Sequence, residues 1–237
     1  MSATHADTPH ASRLDIRVIV AAYNEAPRIG ATLDALAVAF PDAAVWVADD
    51  GSTDATALLA RRAGARVVRS ERMIGKGAAA TLAAREALQA IHNGEPIFIL
   101  CDGDLAESAG RLDALADAVR DGDADMAVAA FATRVGGGVG LAVGFARWAI
   151  RRRCALEMRA PISGQRALRA SVLADVLPFA RGFGMEIGMT IDAARTGHRI
   201  TEVDLDLAHR ATGRTLSGFL HRGRQLVDFV RVYIARR

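Results

Sequence analysis

IRVIVAAYNE, residues 16–25, sets the reading of the chain. The β-branched apolar run Ile16–Ala22 gives way to polar Asn24 and Glu25 and then to Pro27. That order predicts a buried parallel strand entering a loop, with a helix over Arg28–Ala39. The same period recurs through the first half. Val45–Ala48 predicts a second strand ending in Asp49-Asp50-Gly51-Ser52, followed by a helix that opens around Thr53–Thr56 and runs to about Ala63. Arg66–Arg69 predicts a short third strand, Gly75–Ile91 an Ala-rich helix, Pro96–Cys101 a fourth strand, Arg111–Val119 a helix and Met126–Phe131 a fifth strand. This alternation predicts an α/β fold with a mostly parallel central sheet and helices on both faces.

Ligands of such sheets bind beyond the C-terminal strand ends. The polar clusters fall there: Tyr23-Asn24-Glu25, Asp49-Asp50 and Asp102-Gly103-Asp104. Three acidic clusters along one sheet edge repel one another, so stability alone does not explain them. In Asp102-Gly103-Asp104, alternate residues bring two carboxylates to one edge, and Gly103 permits close backbone approach to a ligand. Hard oxygens suit Mg2+ or Mn2+, which keep waters and take phosphate oxygens as further ligands. The bland alternative is a polar turn. Asp50 is placed to accept hydrogen bonds from a base or a ribose, while Thr53 or Asp54 serves as a helix cap; Asp49 is ambiguous. Tyr23 and Glu25 offer an aromatic ring and an acid to a nucleobase, or are an ordinary strand-to-helix loop.

Of the 30 basic residues 29 are Arg, and the one Lys, Lys76, lies in Gly75-Lys76-Gly77. A helix opening there favours an anion, to which an ammonium adds a point charge. The spacing is not that of a Walker loop, and a solvated lysine near a turn is the alternative. Glu186 begins a helix after Arg181-Gly182-Phe183-Gly184, as a dipole partner or as a hydrogen-bonding group for sugar hydroxyls. His209 follows the last strand as a surface residue or, with a metal nearby, as a ligand; Arg210 beside it suits phosphate. Cys101 reads as a small buried residue, not a nucleophile, since no base is placed beside it.

The second half is less regular. Gly136-Gly137-Gly138 predicts a hinge or close-approach loop, and Gly140–Arg153 a basic amphipathic helix. Ser163–Leu168 predicts a strand, Ser171–Leu177 a helix, Glu186–Thr196 a helix closed by Gly197, Ile200–Leu207 a strand and Thr215–Ile234 a basic terminal helix. The division expected is a tail over residues 1–13 and one unit over 14–237, with a nucleotide-binding half at 14–133 and an acceptor-side half at 134–237. Through Thr133 there are 12 Lys+Arg against 19 Asp+Glu, and from Arg134 onward 18 against 8. The basic half is expected to meet something anionic. Aromatic residues make up 5%, too few for a base-stacking nucleic-acid surface. Two cysteines give no disulfide framework and fit a reducing compartment. No apolar run is long enough to span a bilayer and the start lacks signal-peptide organisation, so a cytoplasmic protein is expected, at most peripheral at the inner membrane face.

The ordered set VIVAAYNE, VADDGSTD, GKG and CDGDL resembles the nucleotide-binding half of the family-2 glycosyltransferases, which have the GT-A (Rossmann-like) fold; Ala21 stands where that family usually has Pro. PISGQRALR, PFARGFGMEIG and AHRATGR further resemble glucosyl-3-phosphoglycerate synthases and dolichyl-phosphate mannose synthases. The resemblance implies a metal-dependent hexosyltransferase that uses a nucleotide-sugar, UDP-sugar first and GDP-sugar second. By it Ala21, Tyr23, Glu25, Asp50 and Lys76, with Asp102 and Gly103, hold the nucleotide. Asp102, Asp104 and His209 hold Mg2+ or Mn2+, and Glu186 meets the donor sugar. The acceptor is expected to be anionic, a phosphorylated small molecule or else a polyprenyl phosphate. Peripheral membrane contact and a homodimer are compatible with this reading, as is a non-catalytic nucleotide-sugar-binding module. The loop Gly136–Leu141 lacks the Arg and Thr that the phosphoglycerate enzymes carry, and Ala211 replaces their Asn. The donor half therefore matches more closely than the acceptor half.

Overall fold

The computed structural model describes residues 15–131, 141–207 and 228–236. The strands are β1 (Ile16–Ala22), β2 (Ala44–Asp49), β3 (Arg66–Arg69), β4 (Ile97–Asp102), β5 (Met126–Phe131), β6 (Arg166–Arg169) and β7 (Ile200–Leu205). The helices are α1 (Ile29–Ala39), α2 (Thr56–Arg62), α3 (Lys76–Gln89), α4 (Asp113–Arg120), α5 (Leu141–Cys154), α6 (Ala170–Asp175) and α7 (Met185–Arg195), and residues 228–235 form a terminal helix, α8. A 3-10 turn, Ala106–Leu112, precedes α4 where the sequence predicted one helix from Arg111.

The strands form one sheet in the order β3-β2-β1-β4-β6-β5-β7. All pairings are parallel except those of β6, which runs antiparallel to both β4 and β5. The expected α/β class is therefore present, with one reversed strand. Each central strand alternates its apolar residues between the two faces. Ile19, Trp46, Ala48, Phe98 and Leu100 join one core with α3, α5, α6, α7 and α8, while Val18, Val20, Val47, Ile97 and Ile99 join another with α1, α2 and α4. Burial on both faces is why these strands read as continuous apolar runs.

Two features position the site. The register sets Ala21 opposite Asp102 and Ala22 opposite Asp49, so the polar strand ends finish level with one another. The strand order reverses between β1 and β4, the switch point where such sheets open a crevice. Helix α3 covers that point closely because its inner face is Ala79, Ala80, Ala83, Ala84 and Ala87, all fully buried. Its last carbonyls are satisfied by Arg17 of β1, which donates to Ala87 O at 2.6 Å and Ala90 O at 3.1 Å.

Candidate active site

The loops after β1 and β2 are laced together before any ligand is considered. Asn24, in the left-handed region at φ 54°, donates its N–H to Ser52 Oγ, and its side-chain oxygen accepts from Thr53 N at 2.8 Å. Glu25 N donates to Thr56 Oγ1 and Ala26 N to Asp54 Oδ2. Asp54 also accepts from Thr56 N in a local turn just before α2, whose N-cap is Ala55 and neither Thr53 nor Asp54. Asp49 is fully buried; its Oδ1 accepts from Ser52 N, and its Oδ2 lies 3.2 Å from Arg69 Nε without hydrogen-bond alignment. Asn24, Asp49, Ser52 and Asp54 thus build the rim, and Tyr23 stands 42% exposed above it.

Asp50 has a sharper task than its position in the sequence suggested. Its Oδ1 accepts from Ile74 N at 2.7 Å and Gly75 N at 3.0 Å, and its Oδ2 from Gly75 N at 3.0 Å. The anion at the mouth of α3 is therefore the Asp50 carboxylate, which ties the Gly75-Lys76-Gly77 turn to β2. Both glycines have steric reasons. Gly75 adopts φ 96°, where a side chain is strained. At Gly77 a Cβ would run into the Ala180 carbonyl oxygen and sit 3.5 Å from Met185 Cβ. Because the obstacle is backbone, Gly77→Ala is expected to cost about 1–3 kcal/mol of stability and to loosen α3 from the turn before α7. Urea unfolding measures the first effect and the donor KM the second.

The turn aims Lys76 at two carboxylates. Its ammonium lies 2.7 Å from Asp102 Oδ1 and 2.8 Å from Glu186 Oε1. Burial lowers the lysine pKa, but the two carboxylates outweigh it and hold the group well above its ordinary value. Glu186, in the first turn of α7, is nearly buried, so it faces a cation and not only a helix dipole. Behind the pair, Gly164 stands so close that a Cβ there would be 2.7 Å from Lys76 Nζ and 3.0 Å from Asp102 Oδ2.

Sequence reasoning passed over the next layer. Gln165 Nε2 donates to Asp102 Oδ2 at 2.9 Å, and Ser163 Oγ donates to Gln165 Oε1 at 3.2 Å. Arg166, fully buried, donates from Nε to Ser163 O and from one terminal nitrogen to Thr190 Oγ1, which itself donates to Glu186 O. The chain Lys76–Asp102–Gln165–Ser163–Arg166–Thr190–Glu186 closes on itself and ties α3, β4, β6 and α7 into one frame. Burial lowers the Arg166 pKa to about 10, with Glu186 and Glu202 opposing the shift; it stays charged at neutral pH. The signal was the polar run Ser163-Gly164-Gln165-Arg166 entering an otherwise apolar strand.

A cleft of about 220 Å3 opens at the strand ends, lined by Ala21, Tyr23, Glu25, Asp50, Lys76, Asp102, Gly103 and Asp104 among others. Eight of the ten expected site residues meet there, and Glu186 joins them through Lys76. His209 lies outside the described residues, as do Gly136-Gly137-Gly138, Arg210 and Ala211. Gly103 is closely packed as well as at the cleft: a Cβ there would lie 3.2 Å from Ala22 Cβ and 3.3 Å from Ala21 O. Among the described residues Asp104 makes no hydrogen bond or ion pair, which leaves its carboxylate available to a cation; no group of three metal-type side chains occurs among them. Two hard carboxylates on the cleft wall fit Mg2+ or Mn2+, which complete their shell with water and phosphate oxygens. Cys101 is buried and its thiol is pushed up, first by burial and then by Asp102, so it is no nucleophile.

A family model described as Glycosyl transferase family 2 matches residues 17–174. The undecaprenyl-phosphate mannosyltransferase of Micrococcus luteus is 29% identical, over 94% of this chain and 95% of its own length. Glucosyl-3-phosphoglycerate synthase from Mycobacterium tuberculosis is similar in structure. Its complex with phosphoglyceric acid is 26% identical with a TM-score of 0.72, covering 94% of this chain and 80% of that one. Its complex with Mn2+, uridine-diphosphate and glucosyl-3-phosphoglycerate is 26% identical with a TM-score of 0.71 and the same coverage.

Proposed function

The chain belongs to glycosyl transferase family 2, and on that premise we propose that it transfers a hexose from a UDP-sugar to an anionic acceptor, with Mg2+ or Mn2+ held by Asp102, Asp104 and His209. The observation that carries the reading is the cleft itself, where Asp104, without a hydrogen bond or ion pair among the described residues, stands beside an Asp102–Lys76–Glu186 cluster at the sheet's switch point. Support comes from the Mycobacterium tuberculosis enzyme, whose complexes contain Mn2+ with uridine-diphosphate or its glucose derivative.

When bound, the cation neutralises charge on the departing diphosphate. The chain's own residues do the rest. Ala21, Tyr23 and Glu25 line the nucleotide end, the ring of Tyr23 offering a face to the base. Asp50 acts through the Ile74 and Gly75 N–H groups, fixing the turn that presents Lys76. The Lys76 ammonium carries three donors, enough to keep a carboxylate and still meet a phosphate oxygen. Glu186, held by Lys76 from one side and by Thr190 through its backbone from the other, is positioned for donor sugar hydroxyls. Where the attacking atom is a phosphate or carboxylate oxygen it arrives deprotonated and no strong general base is required; an acceptor hydroxyl would have to pass its proton to a base or to the departing diphosphate. The proposed division assigns the nucleotide to residues 14–133 and the acceptor side to 134–237, with Glu186 and His209 reaching from the second part to the donor.

The nature of the acceptor divides two readings. A phosphorylated small molecule follows from the phosphoglycerate enzymes, and a polyprenyl phosphate from the Micrococcus luteus relative, which aligns over nearly its full length. Calorimetry of UDP with and without Mn2+, followed by transfer assays with 3-phosphoglycerate and with a short polyprenyl phosphate, tests the proposal. UDP affinity indifferent to metal, together with no transfer to either acceptor, would sink it.

Gln165→Leu gives a narrower expectation. It removes the donor that fixes Asp102 Oδ2 while leaving both carboxylates in place. Mn2+ affinity is expected to fall about 10-fold or more, as for other outer-sphere partners of metal ligands. The unfolding free energy should fall by about 1–3 kcal/mol, because the buried Ser163 hydroxyl and Asp102 Oδ2 each lose a partner. Unchanged Mn2+ binding would show that Asp102 needs no such support.

A further inference from the structure

Helix α5 packs against α7 and carries a face that this packing does not use. Ala146, Ala149 and Ile150 point inward and are fully buried. The residues three and four apart on the opposite side are Gly144, Arg147, Trp148, Arg151 and Arg152, all exposed. Helix α8 lies against the same edge: the Trp148 and Tyr233 rings are 4.9 Å apart, and the Arg153 guanidinium sits 3.9 Å over Tyr233. Its own outward residues, Val230, Arg231 and Ile234, extend the face. Trp148 is 43% exposed and Ile234 51%, so large apolar groups and arginines share one surface. The groove beside it, about 530 Å3, is larger than the acidic cleft and lies apart from it, between α5 and the segment that carries Glu157 and Arg159.

We propose that this face docks in the plane of an anionic phospholipid bilayer, Trp148 and Ile234 entering the headgroup layer and Arg147, Arg151, Arg152 and Arg231 meeting lipid phosphates. Tryptophan favours the membrane interface because one end of its ring system is apolar and the other donates a hydrogen bond. Guanidinium groups pair with phosphate in two-point geometry. No described helix is long and apolar enough to cross a membrane, so contact is confined to the surface. Charge argues against the other occupants. A symmetric pairing of two copies through this face would set arginine against arginine. Residues 208–227 cannot neutralise it either, since they contain Arg210, Arg214, Arg222 and Arg224 and no acid. Four acids lie on or beside the face: Glu157 is 3.9 Å from Arg151, Asp228 is 3.7 Å from Arg231, and Glu202 and Asp204 pair with Arg159 at the groove, which leaves Arg147 and Arg152 without an ion pair among the described residues. The inference rests on surface chemistry and is independent of which acceptor is glycosylated.

The test is co-flotation of the full chain with phosphatidylcholine vesicles, alone or containing roughly one-third phosphatidylglycerol, in the absence of donor, metal and acceptor. Binding is expected only to the anionic vesicles and is lost at high salt. The chain has two tryptophans, and Trp46 is fully buried. A blue shift in emission on vesicle addition therefore reports Trp148. At about fivefold per charge near such a surface, the triple variant Arg147→Glu, Arg151→Glu, Arg152→Glu should bind at least about a hundredfold more weakly, with unaltered UDP affinity. Should the triple variant fold poorly, Arg231→Glu on α8 reads the same face, with an expected loss of about fivefold or more. No flotation, equal binding to neutral vesicles, full binding by the folded charge-reversed variants, or an emission shift that rises with protein concentration and needs no lipid would each overturn the proposal.

Discussion

Asp104→Asn is expected to lower kcat/KM by about a thousandfold while leaving the unfolding midpoint nearly unchanged. The magnitude is that of several kcal/mol of charge stabilisation by a bound cation. The small effect on stability follows from the surroundings of Asp104: among the described residues it has no hydrogen bond or ion pair to lose. Asn preserves shape and removes charge, so the change falls on cation binding. Asp102→Asn should behave differently, although the two residues are two apart in sequence. Asp102 is paired with Lys76 at 2.7 Å and accepts from Gln165 at 2.9 Å. Losing its charge leaves the Lys76 ammonium with Glu186 alone, so both stability and activity should fall. Mn2+ titration by electron paramagnetic resonance, turnover at saturating metal and thermal unfolding separate the two variants. If Asp104→Asn keeps wild-type Mn2+ affinity and turnover, the carboxylate is no metal ligand and the second acid of the motif is only a turn residue.

That contrast shows where the sequence was legible. Strands β1 and β5 begin and end where their apolar runs do, because burial on both faces leaves no ambiguity of period, whereas the partly exposed edge strand β3 was marked only by its Val67-Val68 pair between arginines. The orientation of β6 was not legible. Arg166–Arg169 is four residues long, and its direction is set by β4 and β5 on either side of it. The cleft was legible to the extent that topology makes it so: the residues just past β1, β2 and β4 had to meet. The tasks within the cleft were less so. Asp50 and Asp49 are adjacent and chemically identical, yet one grips the Gly75 turn and the other is buried beneath Ser52. Gln165 and Arg166 left a weaker trace, since a polar residue in a strand reads equally well as an exposed edge. Their partners are 63 residues away for Gln165 and 24 for Arg166, on Asp102 and Thr190, a distance that no local pattern bridges. The basic amphipathic helix over Gly140–Arg153 was visible, a pattern that suits a helix packed on its own domain as well as one at a membrane surface. Packing accounts for its Ala146–Ile150 side but leaves Trp148 and its arginines outside.

Lys76→Met carries the second large expectation, and its sign is unusual. The substitution keeps the length of the side chain and removes the ammonium that bridges Asp102 and Glu186. Two carboxylates then face the same space without a counter-charge, and stability should fall by about 1–3 kcal/mol. That is below the range for breaking a fully buried pair because the Lys76 side chain is 32% exposed. A metal cation competes with the ammonium for Asp102, so Mn2+ should bind the variant at least as tightly as the wild type. On the proposed role of Lys76 the nucleotide-sugar loses a phosphate contact, so its KM should rise and kcat/KM fall by about a hundredfold. Opposite movements of metal and donor affinity are the signature that distinguishes a phosphate-binding lysine from a structural one; a parallel loss of both would refute it. The pattern should hold from mildly acidic to mildly alkaline pH. The folded-state pKa of Lys76 is raised, so its stabilising contribution is complete below the ordinary lysine value and is lost only as pH climbs through the raised one. Lys76→Arg is not expected to rescue turnover. Gly164 closes behind Nζ so tightly that even a methyl group would sit 2.7 Å from it, and a planar guanidinium is wider than an ammonium. A chain that uses arginine at 29 of its 30 basic positions thus keeps lysine at the position where steric room between Asp102, Glu186 and Gly164 admits only a compact cation.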